Sequence, residues 1–329
     1  MHITDWIVAH LPHRRCPSTE FMYDDMPSQS GYSLPVIYKE LNVTRRGDWR
    51  DEGQILDFAS VAGAGARVLD LGPGDGWPSL RIAPFVAEVV GVDASPRRVQ
   101  VCTGNAARLG ITNARFALLA ADGTLPCESA SCDAVVAASS LEQTPDPAAM
   151  LRECARVLVP GGRLRMSYED LERYRGGEET VTEVRRLRDG RIRVEVVARD
   201  LAGETATMVR LYVGATAQAA AERLQGLTPE RLTPSFLKDL APDLGEVRVC
   251  TLRHPSGATW VRMLLEAGFR SAQGTENGGQ AAAGAFDRRA AAAAPRTHAE
   301  LREYLLPLVR AAVGRPAPLE RNPWITAIR

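Results

Sequence analysis

Between residues 65 and 167, short apolar runs alternate with amphipathic stretches. The runs are ARVLDLG (66–72), EVVGVDA (88–94), ARFALLAAD (114–122), CDAVVAASS (132–140) and GRLRMSY (162–168). Between them lie PSLRIAPFVA, SPRRVQVCTGNAARLG and DPAAMLRECARVLVPGG, which read as helices. Near-continuous apolar strands alternating with helices predict parallel βαβ units covered on both faces. The punctuation agrees. Ser95 before Pro96 is an N-cap followed by proline at the first helical position. Pro160-Gly161-Gly162 stops a helix and turns into a strand.

Residues 169–255 break this rhythm. VTEVRRLRDGRIRVEVVARD is two alternating runs around Asp189-Gly190, a strong hairpin signal. It places Ile192, Val194 and Val196 on one face and Arg191, Arg193 and Glu195 on the other, expected to be a solvated face. TATMVRLYVGA (205–215) adds a third strand. TAQAAAERLQGL and TPERLTPSFLKDL read as short helices. From 256 the βα texture returns: GATWVRMLLEAGFRSAQG is a helix closed by Gly268 and then a strand. The Gly/Ala-rich segment 276–296 is expected to be a loop or a poorly ordered helix. Thr297 and Glu300 form a capping box for the next helix, and NPWITAIR is a last strand. Residues 1–60 carry a cluster of aromatics, among them Tyr23, Tyr32, Tyr38 and Trp49, which are candidates for a lid over a bound ligand.

Composition narrows the function. The chain has 329 residues, 45% hydrophobic and 24% charged, as in an ordinary globular protein. Forty basic and forty acidic residues leave no net charge, which speaks against a surface built to grip a phosphate backbone. No run is long enough to span a bilayer. MHITDWIVAHLPHRR lacks the features of a signal peptide, so a cytoplasmic protein with no membrane partner is expected. The six cysteines show neither C-x-x-C nor zinc spacing, and no metal site is expected.

The chemistry concentrates in VLDLGPGDGWPSL. An apolar strand ends in Asp70, and Gly72, Gly74 and Gly76 follow before a helix. Glycines allow tight turning and close approach to a ligand, and the helix start offers unpaired N–H groups. A G-x-G-x-x-G dinucleotide fingerprint would need glycine at Trp77, and the Gly-Lys-Ser/Thr of a phosphate loop is missing. Asp93 ends the next strand about 20 residues on, where a carboxylate can take both ribose hydroxyls. Asp122 closes the third run, where an acceptor can meet an exocyclic amine.

With these residues the chain resembles the class I S-adenosylmethionine-dependent methyltransferases, of the small-molecule group similar to ubiquinone and menaquinone methyltransferases. The likeness rests on VLDLGPGDGW, VVGVDASPRRV, the AADG turn, the SSLEQTPDPAAMLRECARVLVPGGRL block and the WVRMLLEAGFR helix–strand. It implies an α/β, Rossmann-like, mostly parallel seven-stranded sheet of order 3-2-1-4-5-7-6. To this are added an N-terminal arm or lid (1–60) and an inserted cap (169–255), the core being 61–168 with 256–329. It also implies that Gly72, Gly74 and Gly76 line the methionine part of S-adenosylmethionine, with Asp70 at its amino end. Asp93 would hold the ribose, Ala94 would lie against adenine, Asp122 and Gly123 would read the adenine edge, and Ser139 and Ser140 would sit near the transferred methyl.

Many relatives carry Glu-His where this chain has Glu142-Gln143, and Gln143 cannot serve as a base near neutral pH. The candidate residues on the acceptor side are therefore Gln143, the lid tyrosines Tyr23 and Tyr32, and His254. The expected activity is methyl transfer to a small-molecule acceptor, a specialised metabolite, by in-line displacement, with no nucleic-acid partner and with a homodimer through the insert. The alternative is a cofactor-binding fold turned to a non-methylating transfer or rearrangement, or to a non-catalytic partner role.

Overall fold

The computed structural model describes residues 2–23, 41–169, 179–187, 189–214, 218–224, 227–289, 295–320 and 322–329. Two compact units emerge, Met1–Leu34 with Asp170–Ser256, and Pro35–Glu169 with Gly257–Arg329. The stretch 1–60 is thus shared between them.

The larger unit is built on seven strands: β1 (Arg67–Leu71), β2 (Glu88–Asp93), β3 (Ala114–Leu118), β4 (Cys132–Ala138), β5 (Leu158–Ser167), β6 (Ser271–Gly274) and β7 (Trp324–Ile328). Their order across the sheet is β3-β2-β1-β4-β5-β7-β6. β7 runs antiparallel to both neighbours, and the pairs among β1 to β5 are parallel. Its longer helices are α1 (Arg46–Ala62), α2 (Pro96–Leu109), α3 (Pro147–Val157), α4 (Gly257–Glu266), α5 (Gly278–Arg288) and α6 (His298–Val313).

The unbroken apolar character of β1 has a direct cause. Leu69 and Leu71 join Leu151, Cys154, Trp260 and Leu264 on one face, while Val68 joins Ile55, Phe58 and Ala59 on the other. Alternate side chains point to opposite faces, and helices cover both. Caps set the helix starts. Ser95 Oγ accepts from the Arg98 N–H at 3.4 Å, Asp146 Oδ1 from Ala149 at 2.9 Å, and Thr297 Oγ1 from Glu300 at 3.2 Å.

Two expectations about this unit need correction. The segment 276–296 contains the regular helix α5, capped by Asn277, whose Oδ1 accepts from the Gln280 N–H at 2.7 Å. Its glycines weaken the intrinsic propensity, but they let it lie directly on α1. A Cβ on Gly53 or on Gly278 would run into the other's carbonyl oxygen. The run Ala290–Ala294 lies outside the described residues. Trp49 is a core residue rather than a lid aromatic. It is fully buried on α1 among Leu301, Leu305 and Val309, and its Nε1 donates to Val43 O at 2.7 Å.

The smaller unit is a five-stranded sheet in the order Arg14–Arg15, Leu244–Arg253, Thr205–Val213, Ile192–Asp200 and Glu179–Arg186. The hairpin turns through Asp189-Gly190, pairing Arg186 with Ile192 and Val184 with Val194. Val194, Val196, Val209 and Leu211 pack with Trp6, Ile7 and Leu237. The opposite face is not solvated. Arg193 and Arg210 are buried, and helix Ser18–Tyr23 covers it through Phe21. Arg210 stacks on the Phe21 ring, 4.1 Å from its centroid, and pairs with Glu195 at 2.6 Å. A guanidinium can be buried this way because its stem is apolar and its donors find acceptors.

Candidate cofactor-binding site

The carboxyl edge of β1, β2 and β4 is where an open α/β sheet binds its ligand. Asp70, next to last in β1, is fully buried. Its Oδ2 accepts from the Ser79 backbone N–H at 3.1 Å and from Ser79 Oγ at 2.5 Å. Its Oδ1 is buried with no partner. Burial pushes the Asp70 carboxyl up to about 7, against the two Ser79 hydrogen bonds, which hold it down, and with the charge of Asp93 adding to the rise.

Gly72, Gly74 and Gly76 all have positive φ, at 73°, 60° and 113°, so the chain can make this loop only with residues that tolerate that region. Gly72 meets a second constraint. A Cβ there would lie 2.6 Å from Ser140 Cβ, and Ser140 Oγ donates to Leu71 O at 2.5 Å, tying the β4 exit to the β1 exit. A Cβ on Gly74 would meet nothing within 4 Å, so the loop is open there. Asp93, at the end of β2, holds the loop from its far side. Its Oδ2 accepts from the Gly74 N–H at 3.3 Å and its Oδ1 from Ser95 at 2.9 Å. Burial raises its pKa against those hydrogen bonds. From α2, Cys102 Sγ donates to Gly74 O at 3.2 Å and Asn105 Nδ2 to Asp75 O at 2.7 Å.

The other expected residues fall as follows. Ala94 is exposed just after β2. β3 ends at Leu118, so Asp122 stands beyond it on an exposed turn, where its Oδ1 accepts from the Thr124 N–H at 2.9 Å. That bond holds its carboxyl below the usual range. Gly123 follows with φ 81°. Ser139, at φ 51°, is held by its N–H to Ser167 O at 3.0 Å. Gln143 donates its amide to Ser139 O at 3.0 Å. His254 belongs to the smaller unit, buried directly after strand Leu244–Arg253. The side chain of Tyr23, and all of Tyr32 and Tyr38, lie outside the described residues.

Two residues escaped the sequence reading. Ser79 anchors Asp70, and its only local signal is a hydroxyl at the start of the short helix Ser79–Ile82. Glu142 is buried, and Glu169 donates its N–H to Glu142 Oε1 at 3.0 Å. Burial lifts its pKa to about 7. Beside a glutamine it read only as half of an altered pair.

Known proteins place this architecture. A methyltransferase domain is matched over residues 69–166. The 27-O-demethylrifamycin SV methyltransferase of Amycolatopsis mediterranei is 33% identical over 226 residues, 61% of this chain and 82% of that protein. The ubiquinone biosynthesis O-methyltransferase of Xanthomonas axonopodis pv. citri is 36% identical over 109 residues, 33% of this chain and 45% of that enzyme. The chain thus spans about half the length of the ubiquinone enzymes it matches. The CcbJ methyltransferase of Streptomyces caelestis shares the fold, with a TM-score of 0.51 and 15% identity over 85% of this chain and 94% of that one. The chain belongs to the class I S-adenosylmethionine-dependent methyltransferases.

The donor set fits that family's cofactor. Two buried carboxylates, acceptors only when ionised, suit an ammonium and a diol. Asp70 keeps a buried oxygen without a partner, and the loop between them is free of side chains at Gly74.

Proposed function

We propose that this chain transfers a methyl group from S-adenosylmethionine to a small-molecule acceptor of specialised metabolism. The observation that carries the reading is the pairing of an open glycine loop with two buried carboxylates at the ends of adjacent strands. Asp70 and the glycine loop would hold the amino-acid end of the cofactor, Asp93 the ribose hydroxyls, Ala94 and the Asp122–Gly123 turn the adenine, and Ser139 the methionine side of the pocket. When bound, the cofactor supplies a methyl group already attached to a good leaving group. The chain's own task is then to align the acceptor and exclude water.

The names of the rifamycin and ubiquinone relatives both specify oxygen methylation, which favours a hydroxyl acceptor. A hydroxyl must lose its proton as it is methylated, and Gln143, a neutral amide, does not take it. Tyr23, Tyr32 and His254 remain the candidates from outside the core for contact with the acceptor. A homodimer across the outer edge of strand Glu179–Arg186, which has no partner strand among the described residues, is part of the same reading. A monomeric mass by light scattering removes the dimer.

The deciding experiment incubates the full chain with S-adenosylmethionine and a panel of hydroxylated metabolites, reading S-adenosylhomocysteine release and product mass. Tight cofactor binding with no S-adenosylhomocysteine released against any acceptor would favour the non-methylating alternative.

A further inference from the structure

The amino-terminal edge of the same sheet, opposite the glycine loop, carries a second group of reactive side chains. A cavity of about 290 Å³ opens there, lined by Arg67, Glu88, Arg115, Cys127, Glu128 and Cys132 among others. Cys132 begins β4 and is buried, while Cys127, on the loop before it, is partly exposed. Both residues line this cavity, and the loop between them is folded back on itself, with Ser131 Oγ donating to Glu128 O at 2.7 Å. The other four cysteines, Cys16, Cys102, Cys154 and Cys250, are buried.

Positive charge surrounds Cys127. Arg156 donates from Nη1 to the Cys127 carbonyl at 2.9 Å. Arg67 and Arg115 stand on the cavity wall. The nearby carboxylates are engaged: Glu88 by Arg67 at 3.3 Å and by Arg115 at 2.9 Å, and Glu153 by Arg156 at 2.7 Å. Glu128 is the remaining acidic group lining the cavity. The neighbouring Cys132 thiol holds the Cys127 thiol below its ordinary range, against burial and with help from Arg115, Arg156 and Arg67. Cys127 and burial together push the Cys132 thiol up. Reactive cysteines are those with thiolate character, access and a second thiol to resolve them.

We propose that Cys127 and Cys132 form a peroxide-sensitive dithiol, a covalent modification site independent of the methyl-transfer centre. The Cys127 thiolate attacks one oxygen of hydrogen peroxide. The O–O bond breaks, the departing hydroxide takes a proton to become water, and Cys127 is left as the sulfenic acid. Cys132 sulfur then attacks the Cys127 sulfur. The S–O bond breaks, the hydroxyl leaves with the Cys132 proton as a second water, and the disulfide closes. Two thiols are oxidised and one peroxide is reduced.

The test treats the folded full chain with limiting hydrogen peroxide and follows it by intact mass and peptide mapping. Cleavage after Glu128 separates the two cysteines, so only a disulfide keeps the halves together. The expected result is loss of two hydrogens, with the linked peptides appearing before any change at Cys16, Cys102, Cys154 or Cys250. Cys132→Ser and Cys132→Ala should stop at a Cys127 sulfenic acid that dimedone traps, and Cys127→Ser should resist the same dose. Circular dichroism selects the folded variants. Modification of another cysteine first, or a Cys127 that passes to sulfinic acid with no disulfide in the unmutated chain, overturns the proposal. Because the readout is mass, failure of the methyltransferase reading would leave this result unaffected.

Discussion

Gly74 donates its backbone N–H to Asp93 Oδ2 at 3.3 Å, so the loop leaving β1 is pinned to the carboxylate that ends β2. Each residue fixes the other. The glycine presents backbone where any side chain would stand in the open part of the loop, and the carboxylate is aimed by the N–H groups of Gly74 and Ser95. Asp93→Ala should therefore do two things. S-adenosylmethionine affinity, read by calorimetry, should fall at least tenfold, about 1.4 kcal/mol. Stability in urea should fall by about 1–3 kcal/mol as two N–H groups lose their acceptor. An unchanged dissociation constant would remove Asp93 from the ribose site.

The loop glycines should separate under substitution. Gly72→Ala combines a positive φ with a Cβ that collides with Ser140, and it should lower the melting temperature strongly. Gly74→Ala has the positive φ but open space. It should fold with a stability loss of about 1–2 kcal/mol yet lose cofactor affinity, because the methyl group enters the proposed cofactor space. Equal stability losses in the two variants would contradict the packing described for Gly72.

Asp70 predicts a pH signature near neutrality. Its carboxyl is lifted to about 7 in the folded chain, mainly by burial, so in the acid range the folded state holds a proton that the unfolded chain has released. The associated stability is complete below the ordinary carboxylate pKa and is lost as pH rises through about 7. A cofactor ammonium favours the ionised form, so affinity should rise over the same interval. Asp70→Asn should flatten both profiles, as read by urea unfolding and calorimetry across that range. Unchanged slopes would show that Asp70 does not titrate there.

The parts of this molecule legible in its sequence are those with local signals. Five strands of the core follow from apolar runs, and the loop from glycine spacing with a carboxylate on each side. Packing across distant segments left no such trace. α5 is helical because Gly53 and Gly278 let two backbones meet, which a count of helix formers reads as weakness. Trp49 sits among polar neighbours on a half-polar helix, a pattern shared by lid and core residues, and its burial depends on α5 and α6 arriving from far along the chain. Arg165 and Asp57 are both fully buried and paired at 2.7 Å, yet they lie 108 residues apart.

Glu52 gives the same lesson in a form that acid titration can read. It is fully buried on α1, and two arginines and a histidine converge on it: Arg81 at 2.7 Å, Arg302 at 2.5 Å and His298 at 2.9 Å. Burial alone would raise its pKa, but the close approach of His298 and the charges of Arg302 and Arg81 outweigh it and hold the carboxyl down at about 2. A depressed pKa means stability that is present above the ordinary glutamate value and is lost as pH falls through about 2. Glu52→Gln keeps the volume but leaves Arg81 and Arg302 without their counter-charge. Removing one member of a buried ion pair typically costs about 3–5 kcal/mol. The partial exposure of the two arginines and its screening bring the expectation to the lower end, about 3 kcal/mol. The variant should unfold in less urea at neutral pH, and its difference from the unmutated chain should shrink as pH drops below about 4. A difference that persisted undiminished in acid would mean that the glutamate contributes packing rather than charge.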